Sequence, residues 1–306
     1  MAIDGILTLG PIAYHWDAAT KRDFYARIAD EAPVDTVYLG EVICSKRSPF
    51  FDDHLAAVAE RLERAGKRVV LTSLAEVVLK RERKAALSFA ADAGRREVEI
   101  NNAAGLLHLG GRAHRIGPFL NVYNETTLAH LAARGATHVT LPPEMPGTAV
   151  AALARAAAEI GVGVEVQAFG RAGLAVSARC YHARAHGRTK DNCLFVCKND
   201  PDGMPLATVA GLPFLRVNGI QTQSETYIAL PEEMAAAAEA GVRAFRLMPQ
   251  AVDMVAVAEV FAARLAGRVD GAEASARLGA LNLPAQLSNG FWHRTAGSRR
   301  VPAHLH

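Results

Sequence analysis

Thr36-Val37-Tyr38-Leu39-Gly40-Glu41-Val42-Ile43-Cys44 is a dense run of β-branched and apolar residues that ends in the polar Ser45-Lys46-Arg47. It is too short for a stable helix and rich in strand formers, so residues 36–42 read as a strand. The fold follows from how often that pattern recurs. Upstream, residues 3–9 read as a first strand. Downstream, residues 68–71, 97–101, 116–120, 138–141, 162–168 and 244–248 repeat it, with helical stretches over about 74–93, 126–134, 149–159 and 231–240. Ala65-Gly66, Ala93-Gly94, Arg134-Gly135 and Ala240-Gly241 each stand just before a strand, where glycine ends a helix in the left-handed conformation. Eight such strands with helices between them predict an α/β protein, a (β/α)8 TIM-like barrel. The competing doubly wound sheet lacks its usual signature, because no G-x-G-x-x-G follows the first strand.

The rhythm breaks after strand seven. Residues of about 170–230 hold short apolar runs at 174–178, 194–197, 206–209 and 214–217, spaced by Pro and Gly. They predict a small β-rich, antiparallel insertion at the C-terminal rim, where barrel sites gather. The domain reading is one α/β barrel over residues 1–288, interrupted by that insertion. Residues 289–306, with Arg299-Arg300 and His304 to His306, are expected to be loosely ordered.

Half of the 306 residues are apolar and about a fifth are charged, a composition that folds. The formal charge of +3 is too weak to mark a nucleic-acid binder, and the basic Lys80-Arg81-Glu82-Arg83-Lys84 reads as a solvated helix face. Asp4 stands where a secretory leader wants a basic residue, and no apolar run is long enough to span a bilayer. A cytoplasmic location is therefore expected, where thiols stay reduced.

Four cysteines then need an explanation other than disulfides. Cys44 follows strand two. Cys180, Cys193 and Cys197 lie in the insertion, with twelve residues between the first two and three between the last two. Four converging thiolates suit a [4Fe-4S] cluster or a structural zinc ion, and buried cysteines with no joint role are the third reading. The usual zinc pair C-x2-C is missing, and the three-residue gap favours the bulkier cluster. Polar neighbours such as Arg179, His182, Lys190 and Lys198 point away from a core setting and would favour thiolates.

Other polar residues stand at strand ends, where rim sites form: Tyr14, His15, Glu41, Asn101, Asn102, Asn121, Asn124, Glu165 and Gln167, with Arg246 expected to point inward. Neither H-E-x-x-H nor G-x-S-x-G occurs, so zinc-protease and serine-hydrolase readings are poor.

Several of these pieces together resemble the collagenase-like peptidase family. They are Leu7-Thr8-Leu9-Gly10-Pro11, then Val37-Tyr38-Leu39-Gly40-Glu41 running into Cys44-Ser45-Lys46-Arg47. Ala178-Arg179-Cys180-Tyr181-His182-Ala183-Arg184 follows, and Lys190-Asp191-Asn192-Cys193 with Cys197 completes the set. The likeness extends to about Pro249 and is nearest to the branch linked to oxygen-independent ubiquinone biosynthesis. It implies that Cys44, Cys180, Cys193 and Cys197 ligate a [4Fe-4S] cluster. It further implies a heterodimer with a UbiU-like partner, a UbiT-like lipid-binding protein as helper and a ubiquinone precursor as the molecule hydroxylated. No catalytic side chains follow from it. Other members act on tRNA bases, so a tRNA base modification enzyme is the alternative, as is a non-catalytic electron-transfer or interface protein.

Overall fold

The computed structural model describes residues 1–92 and 94–302. Strands β1 (Ile6–Leu9), β2 (Thr36–Leu39), β3 (Arg68–Thr72), β4 (Glu97–Ile100), β5 (His114–Ile116), β6 (Ala136–Thr140) and β7 (Gly163–Val176) run parallel in that order. Three strands follow in the insertion, β8 (Met204–Ala207), β9 (Pro213–Asn218) and β10 (Gln221–Ala229). The eighth barrel strand is β11 (Ala244–Leu247), which pairs with both β1 and β7 and closes the ring. The short β12 (Leu287–Ser288) adds to β10. The (β/α)8 barrel expected from the sequence is therefore the fold.

Helices α1 (Ala18–Asp30), α2 (Asp52–Arg64), α3 (Lys80–Asp92), α4 (Ala103–Leu109), α5 (Glu125–Ala132) and α6 (Gly147–Glu159) fill the successive crossovers. The short α7 (Tyr181–Ala185) lies in the insertion, and α8 (Met234–Glu239), α9 (Met254–Leu265) and α10 (Gly271–Gly279) complete the outer layer. Alternation along each strand explains the layering. Leu7, Leu9, Val37 and Leu39 point outward into a core shared with Ile28, Leu62, Leu128 and Val150 of the helices. The helix-ending glycines Gly66, Gly94, Gly135 and Gly241 all take positive φ; Ala93 lies outside the described residues.

Several boundaries differ from the sequence reading, each for a local reason. The fifth strand stops at Ile116, because Pro118 has no N–H to donate and opens a 3-10 turn over Pro118–Leu120. The helix expected from residue 74 begins at Lys80, where the Glu82 carboxylate accepts from the N–H groups of Val78 (2.8 Å) and Leu79 (2.9 Å). Residues 194–197 form no strand. Leu194 and Phe195 take positive φ and lead into a 3-10 turn over Val196–Asn199. Residues 174–176 are the far end of β7, which runs past the rim, and β10 returns antiparallel along it from Gln221↔Val176 to Ala229↔Phe169. The tail is also better held than expected. Asn289 donates to Glu233 at 2.6 Å and to the Val301 carbonyl at 2.9 Å, and Arg300 donates to the Ala229 carbonyl at 2.9 Å. Residues 303–306 lie outside the described part of the chain.

Candidate functional site

Each barrel strand turns at least one polar side chain into the barrel, where branched apolar residues usually stack in layers. Arg246 on β11 is the centre of this group. Its Nη2 donates to Glu99 of β4 and Glu165 of β7, both at 2.5 Å, and to the Thr140 hydroxyl of β6 at 2.8 Å. Glu165 also accepts from the hydroxyls of Tyr38 (2.9 Å), Thr140 (2.6 Å) and Thr8. Glu99 accepts from the Thr72 hydroxyl at 2.9 Å, and Arg115 of β5 donates to the Tyr38 hydroxyl at 3.1 Å. The Arg246 guanidinium lies 3.7 Å from the centre of the Tyr38 ring. Burial alone pushes the Glu165 carboxyl up, but Arg246 and the hydroxyl donors reverse this and hold it down at about 2.

Above this floor lies the barrel mouth, with about 1270 Å3 of atom-free space counting the open solvent at its entrance. Arg246, Glu99, Asn101, Gln167, Arg171 and Gln223 supply its polar lining. Pro11, Val42, Ile43, Phe119, Leu174 and Met248 supply apolar walls. Arg171 is fully buried, donates to Asp202 at 2.5 Å and to the Ser224 carbonyl at 3.0 Å, and packs on the Tyr227 ring. The mouth is concave, mixed in polarity and floored by buried charge, the form of a small-molecule pocket.

The sequence candidates divide. Asn101, Asn121, Gln167 and Arg246 line the mouth. Asn102 and Asn124 are helix caps, accepting from Gly105 N–H (3.0 Å) and Thr127 N–H (2.8 Å). Tyr14 is buried and donates to Gln250 at 2.8 Å, and His15 packs against Phe50 and Phe195. Glu41 accepts from the N–H groups of Ile43 and Cys44, both at 3.0 Å, and so shapes the turn that presents Cys44. Sequence reasoning missed Thr8, Tyr38, Glu99, Arg171 and Gln223. The signal available was a charged residue, such as Glu99, flanked by apolar ones inside a short strand.

The four cysteines meet in a second recess, beside the mouth. Cys44, Cys180, Cys193 and Cys197 line about 330 Å3 of atom-free space with Lys46, Arg47, His182 and Lys190. All four thiols are free. Cys180, Cys193 and Cys197 are buried, contrary to the reading from their polar neighbours in sequence. Ala13, Val42, Ile43, Ala183 and Ile220 pack with Cys180 and Cys193, while Arg179 and Lys198 turn outward and Lys190 pairs with Glu76. Cations nonetheless reach the sulfurs. The Lys46 ammonium lies 3.6 Å from Cys193 Sγ, and the fully buried Arg47 interacts with Cys44 and Cys197. Ala183 N–H donates to Cys180 Sγ at 3.4 Å. Burial pushes the Cys44 and Cys180 thiols up.

Donor chemistry and spacing both bear on what this recess can hold. No three of the four sulfurs lie within 4.8 Å of one another. One zinc ion with bonds of about 2.3 Å would draw four thiolates to roughly 3.8 Å apart. Four free thiols lining one recess beside Lys46 and Arg47 are donors of the kind a thiolate-ligated cluster takes. Among the described residues, one set of ligating atoms does fall within 4.8 Å: His182, His186 and Asp200. That set has the donors to hold a metal ion.

The model of peptidase family U32 matches residues 22–276. The chain belongs to peptidase family U32. The match spans the barrel from α1 to α10 and includes all four cysteines of this U32 chain. No helix among its described residues is long and apolar enough to cross a membrane.

Proposed function

We propose that this U32 chain is a UbiV-like iron–sulfur subunit of an oxygen-independent hydroxylation system for ubiquinone biosynthesis, working as a heterodimer with a UbiU-like partner. The observation that carries the reading is the adjacency of the two sites. Val42 and Ile43 form part of the mouth wall and also pack in the apolar cluster of Cys180 and Cys193, so a single layer of side chains divides mouth from recess. Cys44, Cys180, Cys193 and Cys197 would hold a [4Fe-4S] cluster, and such a group supplies one-electron transfer when bound.

The remaining roles belong to the chain itself. Lys46 and Arg47 offset the negative charge that four thiolates bring. The apolar layer keeps water from the sulfurs. In the mouth, the ion pairs of Arg246 fix Glu99 and Glu165 in place, which gives a ring-bearing precursor a rigid polar floor. The apolar walls at Phe119, Leu174 and Met248 suit the ring and the start of an isoprenoid tail.

Quinone profiling of a deletion strain grown without oxygen tests the reading. Ubiquinone should fall in the deletion and return with the wild-type chain, but not with Cys193→Ala. Unchanged ubiquinone together with a missing modified nucleoside would replace this reading with tRNA base modification.

A further inference from the structure

His182 lies on α7 and His186, four positions later, caps its C-terminal end, with the two rings stacked 5.5 Å apart. Asp200 follows the 3-10 turn that carries Cys197. The ligating atoms of the three side chains lie within 4.8 Å of one another. His182 is fully buried, and its Nδ1 is 3.2 Å from the Val217 carbonyl oxygen. A carbonyl only accepts, so Nδ1 carries a hydrogen and Nε2 is the ring nitrogen turned toward Asp200. Nε2 sits 2.9 Å from Asp200 Oδ2, so the buried imidazole and the carboxylate face each other directly.

We propose that His182, His186 and Asp200 bind one divalent transition-metal ion of the zinc class, at a site separate from the four cysteines. Two imidazoles and one carboxylate select zinc-like ions over calcium or magnesium, which take oxygen ligands. The bond from Nδ1 to a backbone carbonyl is the outer contact that commonly fixes a metal-bound histidine. His186 is exposed and Asp200 half-buried, so a water completes a four-coordinate site from the solvent side.

The position gives the ion a purpose. α7 starts directly after Cys180, and Asp200 is three residues past Cys197. An ion bridging them ties two of the cysteine-bearing segments together without touching a thiol.

Cobalt(II) titration of the anaerobically purified full chain, with iron measured in parallel, decides the matter. One cobalt per chain is expected, with the visible bands of a tetrahedral nitrogen and oxygen site and no loss of iron. His186→Ala, at an exposed position that leaves the fold alone, should weaken binding by more than the roughly 10- to 100-fold that removal of an outer contact costs. Asp200→Asn, which keeps the side-chain shape, should do the same. A thiolate-to-cobalt charge-transfer band would put the metal among the cysteines and overturn the proposal. Unchanged affinity in His186→Ala would overturn it too, as would absence of stoichiometric binding.

Discussion

Arg47 Nη2 donates to Asn218 Oδ1 at 2.6 Å, and both side chains are fully buried. The contact joins the loop after β2 to the end of β9, across 171 positions of sequence. Asn218 then uses its Nδ2 to donate to the carbonyls of Cys197 (3.0 Å) and Asp200 (2.8 Å). A single asparagine therefore links the Cys44 loop, the Cys197 turn and the outer sheet.

Asn218→Ala should for that reason loosen the recess before the barrel. Two carbonyls and one guanidinium would lose their partners in a buried setting, at about 1–3 kcal/mol for each group left unsatisfied. Urea unfolding should show the loss in stability. An unchanged midpoint would mean that water replaces the asparagine without cost. Gly219→Ala should act in the same direction, since Gly219 has φ +69° and a Cβ there would strike Arg47 Nη2.

Anaerobically purified protein should be brown, with about four irons and four sulfides per chain. Cys193→Ala should lose the iron while the far-ultraviolet circular dichroism of the barrel persists. Zinc in place of iron would overturn the cluster, and a full iron content in the variant would remove Cys193 from the proposed ligand set.

Cluster loss should also be read locally by hydrogen exchange. The recess draws on the loop after β2 and on the insertion, both at the C-terminal rim. Protection is expected to fall first over residues 178–209 and around Cys44, with β4 to β6 little changed. Equal loss everywhere would mean that the cluster supports the whole fold.

Arg246→Ala should destabilise the barrel strongly, by about 3–5 kcal/mol, because it leaves Glu99 and Glu165 as buried charges without their partner. Replacing all three by Leu should cost less than the single change. Chemical denaturation of the two variants compares them directly.

Glu165 sets a pH dependence of known sign. Its carboxyl is held at about 2 in the folded chain, below its ordinary value of 4.5, so the unfolded chain binds the proton more readily. The contribution is fully present above about pH 4.5 and is lost as pH falls toward 2. In Glu165→Gln this acid-side slope should flatten, as read from unfolding midpoints between pH 5 and pH 3.

The barrel was legible because its strands and helices are local. A β-branched run such as residues 68–71 and a stop such as Ala65-Gly66 need no distant partner to declare themselves. The insertion announced itself as a break in that rhythm, and the cysteines as four reactive side chains without a disulfide setting. The mouth was legible only in part. Arg246 was expected inward, but Thr8, Tyr38 and Glu99 were not, since a short strand does not reveal which of its faces will close around the axis. Asn102 and Asn124 carried the composition of rim residues and proved to be caps.

The sequence by itself determined the strand and helix order, the place of the insertion and the identity of the thiols. Tertiary structure alone decided that Glu99, Glu165 and Arg246 share one hydrogen-bonded centre, with 147 positions between Glu99 and Arg246. It also decided that His182, His186 and Asp200 meet, and that three cysteines with polar neighbours in sequence are buried. Local periodicity encodes the elements, whereas these meetings depend on ring closure between β11, β1 and β7 and on β10 folding back along β7. Closure and pairing are collective properties of residues far apart in the chain, so no window of sequence contains them.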